Sequence, residues 1–203
     1  MAVLLDIVGS VVIAAYVLLM GVRMNSTMVN SRDSFNADVT VQENMVALVQ
    51  TIEYDFRKMG YKVTDPTEVI VLADSDHIRF AGDVNDDGII DTVDWKLGEY
   101  LTSTPNPNDR ILYRTVCPSA MMGGSAVVSI PGATQFKLRF LNQEGVPALT
   151  PGQIWLVETT IRLESPWKVQ DRTVLDQSYD DWGYSASFWR QTRLASRNLK
   201  RHG

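Results

Sequence analysis

The most apolar part of the chain lies at its N-terminal end. Residues 2–22 are apolar except for Asp6 and Ser10, and as a helix rising about 1.5 Å per residue they span roughly 30 Å, the thickness of a bilayer core. No basic region precedes the run and no small-residue cleavage motif follows it, so we expect a membrane segment and not a cleaved signal peptide. Asp6 is unusual there, because a carboxylate in lipid is costly and normally has a partner.

The helical pattern continues beyond this run. Residues 23–59 contain no glycine or proline, so nothing forces the helix to stop before Gly60. We expect one helix of about 85 Å from Ala2 to Met59, apolar all round in its first half and amphipathic in its second, with Gly21 as its one weak point after Ser10. An anchor helix followed by a separate helix is the alternative. The predicted apolar stripe consists of Phe35, Val39, Met45, Val49, Ile52, Phe56 and Met59.

The remainder of the chain has the short alternating pattern of β-strands joined by Gly/Pro turns. Segments 68–74 and 77–82 predict a hairpin, and we expect the amphipathic half of the helix to cover a mostly antiparallel sheet. The fold class is therefore α+β, with a filament-core or membrane half-helix at 1–22, an amphipathic half at 23–60 and a β-rich head at 61–203. The other predicted inward-facing residues are Val93, Trp95 and Leu97, then Phe136, Leu138 and Phe140, then Trp155, Val157, Thr159, Ile161 and Leu163, while 110–116 forms a further strand.

An acidic loop interrupts the strand pattern between 82 and 95. Its residues match D-x-[DN]-x-[DN]-G, in which side-chain oxygens at odd positions converge on one cation, a glycine allows the turn and a carbonyl adds a ligand. We expect a structural Ca²⁺ site of roughly 10⁻⁴–10⁻³ M affinity; the alternative is a polar turn that binds nothing. The predicted ligands are Asp83, Asn85, Asp87, the carbonyl of Ile89, Asp91 and Asp94, with Gly88 at the turn.

The composition of the chain limits the classes of function that it can have. The 203 residues carry a formal charge of -5, so nucleic acid is an unlikely partner. Cys117 is the single cysteine and His77 and His202 are the two histidines, so an intrachain disulfide is impossible and a histidine-rich metal site or a conventional catalytic triad is unlikely. With no nucleophile–base pairing and no glycine-rich phosphate loop in the sequence, we expect no enzyme activity.

The order of elements resembles that of a known superfamily. A long helix, apolar and then amphipathic, followed by "IRFAGDVNDDGIIDTVDWKL", "RILYRTV", "FKLRFLNQEG" and "VETTIRLES", is similar to type IV pilins and type II secretion pseudopilins, closest to the larger minor-pilin or pseudopilin J-like branch. The similarity covers residues 2–165. It implies a filament core of bundled helices, and a carboxylate at mature position five that neutralises a neighbour's N-terminal amine. Asp6 takes that position when Ala2 is the first mature residue, and lies one position late when Met1 is.

We therefore expect a structural subunit of an extracellular type IV pilus-like filament with a calcium-stabilised head. Its partners would be copies of itself in a helical filament, the inner-membrane pilus or secretion assembly machinery, and the membrane before assembly. It would move from the inner membrane to the cell surface. Two alternatives remain: a minor pilin or pseudopilin, and a monomeric membrane-anchored calcium-binding surface protein.

The C-terminal segment is aromatic and then basic. Three interpretations stay open: aromatic packing on the head with a solvated tail, salt bridges to the acidic heads of neighbouring subunits, and contacts with polyanions. The residues concerned are Tyr179, Trp182, Tyr184, Phe188 and Trp189, followed by Arg190, Arg193, Arg197, Lys200 and Arg201.

Overall fold

The computed structural model describes residues 2–118, 126–170 and 179–194. Within them, one long helix is followed by eight strands and three short 3-10 turns at Pro66–Glu68, Pro151–Gln153 and Tyr179–Asp181. The helix is α1 (Ala2–Lys58), and the strands are β1 (Ile70–Ala73), β2 (His77–Gly82), β3 (Asp91–Tyr100), β4 (Arg110–Pro118), β5 (Ala126–Ile130), β6 (Ala133–Leu141), β7 (Leu156–Val169) and β8 (Gly183–Leu194).

Helix α1 is a single uninterrupted rod, as the sequence predicts. It ends at Lys58, one residue before the predicted end, and it continues through Gly21 without a break. Gly60 follows with a φ of 73°, a left-handed conformation that glycine adopts without strain and that commonly terminates helices. The alternative of two separate helices is wrong.

The C-terminal part of α1 forms one wall of the hydrophobic core. Four residues of the predicted stripe are buried, and Val39 and Val49 are half-buried. The prediction is wrong at Phe35, which is 56% exposed. Ser34 faces the head instead, because the buried face repeats every three to four residues from Ser34 and Phe35 lies off that face. The buried apolar residues of this wall are Val41, Met45, Leu48, Ile52 and Phe56 on the helix and Met59 directly after it.

The strands form two antiparallel sheets rather than the single sheet that the sequence suggested. One has the order β1-β2-β3-β4-β5 and the other β6-β7-β8. Their inner faces meet in one core, where the rings of Trp95 and Phe136 lie 6.4 Å apart. The alternation that predicted inward-facing residues is confirmed at Val93, Trp95 and Leu97. Which strands pair with each other is decided by long-range contacts that a local pattern does not contain.

The C-terminal segment is partly a core strand. β8 pairs with β7, with Trp189 opposite Ile161, and Trp189 packs against the core. The Tyr184 hydroxyl donates a hydrogen bond to the Pro105 carbonyl oxygen at 2.8 Å. The prediction of an aromatic and basic tail therefore missed a strand, and likewise β5 was not predicted. The basic residues Arg197, Lys200 and Arg201 lie outside the described residues.

Polar contacts fasten the helix to the head at two levels. Asp55 is fully buried and accepts hydrogen bonds from Trp95 Nε1 at 2.9 Å and from Arg114 Nε and Nη2 at 2.7 Å each. About 30 Å towards the N-terminus, Ser34 Oγ donates to the carbonyl oxygen of Gln170 at 3.0 Å. The core and these bonds therefore hold the C-terminal part of α1 against the head at both levels.

Candidate functional site

The N-terminal part of α1 is free of the head. Residues 3–29 are exposed, a length of about 40 Å. By length and composition this helix meets the requirement for a membrane span, a requirement that signal sequences also meet. The most apolar window of the helix is not buried in the head, which separates it from the core helix of a soluble protein. Asp6 lies in this exposed part and has no hydrogen-bond or ion-pair partner among residues 2–118, 126–170 and 179–194.

The acidic loop connects β2 to β3 at the end of the helix. Gly82 and Asp91 are directly paired, so residues 83–90 form the connection. Gly88 has a φ of 88° and Asp86 a φ of 63°, which gives the sharp turn that the pattern requires of Gly88. The sequence therefore predicted both the place of this loop and its turn.

The end of α1 packs directly against the base of this loop. A Cβ atom on Gly82 would lie 2.3 Å from the Lys58 carbonyl oxygen, so only glycine permits the close approach. The Asp83 amide donates to the Tyr61 carbonyl oxygen at 3.0 Å. This docking brings the lysines on either side of the helix terminus, Lys58 and Lys62, to the acidic side chains.

Both lysines form ion pairs with the loop. Lys62 Nζ lies 2.6 Å from Asp83 Oδ2, and Lys58 Nζ lies 2.5 Å from Asp86 Oδ2. The Tyr61 ring contacts both ammonium groups, with its centroid 4.3 Å from Lys58 Nζ and 5.2 Å from Lys62 Nζ. The hydrogen bond from Lys62 lowers the pKa of Asp83. These lysines were missed from the sequence, because nothing in their local pattern indicates contact with a loop twenty residues later.

Two carboxylates in the loop have oxygens without partners. Asp83 and Asp91 are 0% exposed, and Oδ1 of each is buried without a hydrogen bond in the described structure. The Val84 amide donates to the other oxygen of Asp91 at 3.2 Å. Burial raises the pKa of Asp91, and the charges of Asp87 and Asp83 raise it further. Buried carboxylate oxygens normally have partners, so each of these two oxygens is available to a cation.

Asn85 and Asp87 are engaged within the loop. Asn85 Nδ2 donates to Asp87 Oδ2 at 2.8 Å, and the amide of Ile89 donates to Asp87 Oδ1 at 2.7 Å. In this arrangement no group of three or more His, Cys, Asp or Glu side chains within the described residues is placed to hold a metal ion. A metal would therefore need these two side chains to turn towards Asp83 and Asp91.

Asp94 does not belong with the other predicted ligands. It lies inside β3, where alternation turns its side chain to the opposite face from Asp91. Both of its oxygens are occupied, Oδ1 by His77 Nε2 at 2.6 Å and Oδ2 by Arg79 Nη2 at 2.7 Å. Asp94 was expected only as a possible further ligand, and in this structure its side chain is turned away from the loop because the strand begins at Asp91 and not after the twelfth position of the pattern.

The remaining five residues can supply oxygen ligands to Ca²⁺. Asp83 and Asp91 already have buried, unpartnered oxygens, which is the observation that fits a cation. Asn85 and Asp87 side chains and the Ile89 carbonyl complete the set by residue type. Comparisons of the chain with protein-family models, curated proteins and solved structures give no match.

Replacing Asp91 by asparagine should raise the melting temperature of the calcium-free, detergent-solubilised chain at pH 7. The raised pKa of Asp91 means that ionisation of this buried carboxyl destabilises the folded head above pH about 4. Asparagine still accepts the Val84 hydrogen bond and carries no charge. The gain should shrink as the pH falls towards 4. A lower melting temperature of the variant than of the wild type at pH 7 would show that the charged Asp91 side chain has a stabilising partner in solution.

Proposed function

We propose that this chain is a structural subunit of an extracellular type IV pilus-like filament and that it polymerises through the apolar half of α1. The observation that carries the proposal is the exposed part of the rod, residues 3–29, which continues without a break into a helix fixed in the core of the head. A plain anchor needs neither this length beyond the bilayer nor a rigid connection to the head. A polymer of bundled helices needs both.

Assembly has a physical basis in the composition of the helix. Lipid tails are as apolar as leucine side chains, so helices leave lipid for each other when close packing is possible. A Cβ at Gly9 would meet nothing within 4 Å, which leaves that surface open for a neighbour. The small residues that permit close approach of another helix are Gly9, Ser10, Ala14 and Ala15.

Asp6 gives the polymer a specific contact. A carboxylate enclosed in an apolar bundle without a partner is strongly unfavourable, and within the described part of its own chain Asp6 has none. The N-terminal amine of a neighbouring copy is a cation at the right depth in such a bundle. The N-terminal amine of each subunit would then neutralise Asp6 of a neighbouring subunit.

Calcium would act on the head once the protein is outside the cell. Extracellular calcium would neutralise Asp83 and Asp91 in the loop and would stabilise the folded head by mass action. This role is structural, because the loop lies between two strands and not between two helices as in calcium sensors. The helix provides assembly and the loop provides stability.

The experiment is electron microscopy and mass spectrometry of filaments sheared from cells that produce the chain, combined with the variant Asp6→Ala. Wild-type cells should yield filaments that contain the chain. Asp6→Ala should reduce the filament yield at least about tenfold and should leave the melting temperature of the head unchanged. A tenfold loss corresponds to about 1.4 kcal/mol, and a neighbour's N-terminal amine left without its partner in the bundle should cost more than that.

Asp33→Ala is the matched control, since Asp33 is an exposed carboxylate on the same helix beyond the apolar run; it should assemble normally. Filament yield from Asp6→Ala equal to that of the wild type would contradict the role of Asp6. If wild-type cells contain the chain only as a membrane-bound monomer, the chain is an anchored surface protein and not a filament subunit.

A further inference from the structure

We propose that Lys62 occupies the cation position of the acidic loop and that Ca²⁺ must displace it in order to bind. This inference rests on the proposed calcium role of the loop and adds the competitor that regulates it. Lys62 Nζ lies 2.6 Å from Asp83 Oδ2, and Asp83 is the first residue of the ligand pattern. The head would thus carry its own replacement for the metal.

An ammonium and a divalent cation cannot both stay on Asp83. Lys62 already holds Oδ2, and the unpartnered Oδ1 of the same carboxylate is shielded from water, since Asp83 is 0% exposed. Two cations on the same small group repel each other, and that repulsion is stronger where water is excluded. Binding of calcium therefore requires Lys62 to leave Asp83, and the apparent affinity for calcium falls with the fraction of molecules in which Lys62 holds the carboxylate.

The backbone at Lys62 is held in a strained conformation. Lys62 has a φ of 60°, which is uncommon for a residue with a Cβ and persists only where the surroundings enforce it. Hydrogen bonds on both sides enforce it here, from the Asp83 amide to Tyr61 and from the Val63 amide to Gly60. The backbone thus aims the lysine at Asp83.

The lysine can nevertheless leave without opening the core. Its side chain is 41% exposed, so rotation about its side-chain bonds returns the ammonium group to water. The core residues beneath the helix end need not move. Exchange of Lys62 for calcium is therefore a side-chain event, and the head stays folded in both states.

Lys58 provides an internal comparison. It also contacts the Tyr61 ring and also pairs with the loop. Its partner Asp86, however, occupies the fourth position of the pattern, which supplies no ligand, and is 53% exposed. The Lys58–Asp86 pair can therefore remain when calcium binds. The two lysines have the same charge and lie at the same loop, and Lys62 alone pairs with a residue of the predicted ligand set.

The test is a calcium titration of the full-length, detergent-solubilised chain by calorimetry, with the variants Lys62→Met and Lys58→Met. Lys62→Met should bind calcium about tenfold more tightly than the wild type, because a competitor is removed. Lys58→Met should change the dissociation constant by less than about threefold, the effect of a nearby exposed charge. Lys62→Arg keeps a cation at Asp83 and should bind no more tightly than the wild type.

Thermal unfolding gives a second readout. In chelator, Lys62→Met should melt below the wild type, because Asp83 loses its counter-ion; in saturating calcium the two should melt together. If the wild type binds calcium and Lys62→Met leaves its dissociation constant unchanged, the exchange is wrong and the calcium role of the loop is retained. Equal gains from Lys62→Met and Lys58→Met overturn it as well. Absence of binding in every variant removes the calcium role itself and this exchange with it, whereas filament assembly is measured separately through Asp6.

Discussion

Replacing Asp55 by alanine should destabilise the head by about 3–5 kcal/mol, the cost of removing one partner from a buried ion pair. Asp55 is 0% exposed and accepts hydrogen bonds from two elements of the first sheet, Trp95 on β3 and Arg114 on β4. Without the carboxylate, the guanidinium and the indole N–H are left largely buried without their partner. Urea unfolding of the full-length chain in detergent measures the change.

A surface pair on the same helix is the matched control for Asp55. Glu53 pairs with Arg57 at 3.1 Å, one turn apart, and the Arg57 side chain is 70% exposed. Glu53→Ala should therefore cost less than about 0.5 kcal/mol, as exposed helix pairs do. A loss below 1 kcal/mol for Asp55→Ala would show that water replaces the carboxylate at the helix–sheet junction, and would remove Asp55 as the element that fastens the rod to the head.

Ten millimolar calcium should raise the melting temperature of the full-length chain by about 5–11 °C over its value in chelator. At a dissociation constant of about 10⁻⁴ M this concentration is a hundredfold excess, which stabilises the folded state by about 2.7 kcal/mol, and each kcal/mol shifts a domain of this size by about 2–4 °C. The double substitution Asp83→Ala with Asp87→Ala should abolish the shift, because it removes two of the four side-chain ligands.

Asp94→Ala separates this site from the rest of the acidic surface. Asp94 pairs with His77 and Arg79 on the outer face of the sheet, so the variant should keep the full calcium response even if it is less stable. Loss of the response in Asp94→Ala would return Asp94 to the ligand set. Identical melting curves with and without calcium in the wild type would reduce the loop to a polar turn.

The long helix and most strands could be predicted because their signals are local. The absence of glycine and proline from 23 to 59 settles the continuity of α1, since each residue bonds to another four positions away. Alternation along 93–97 likewise orients Val93, Trp95 and Leu97 inward. In the loop, the position of Gly88 predicted its positive φ. These features depend on neighbours in sequence, so the sequence by itself determined them.

Contacts between distant segments were decided by the tertiary structure. The division into two sheets and the use of Gly183–Leu194 as a strand depend on pairing with β7, and a basic, aromatic composition gave no sign of it. Docking of the helix end on Gly82 brings Lys62 to Asp83, whereas strand alternation turns Asp94 away from the loop. A motif specifies which oxygens are available, but the packing of helix, loop and strand determines which of them lie at the loop and which already pair with a lysine.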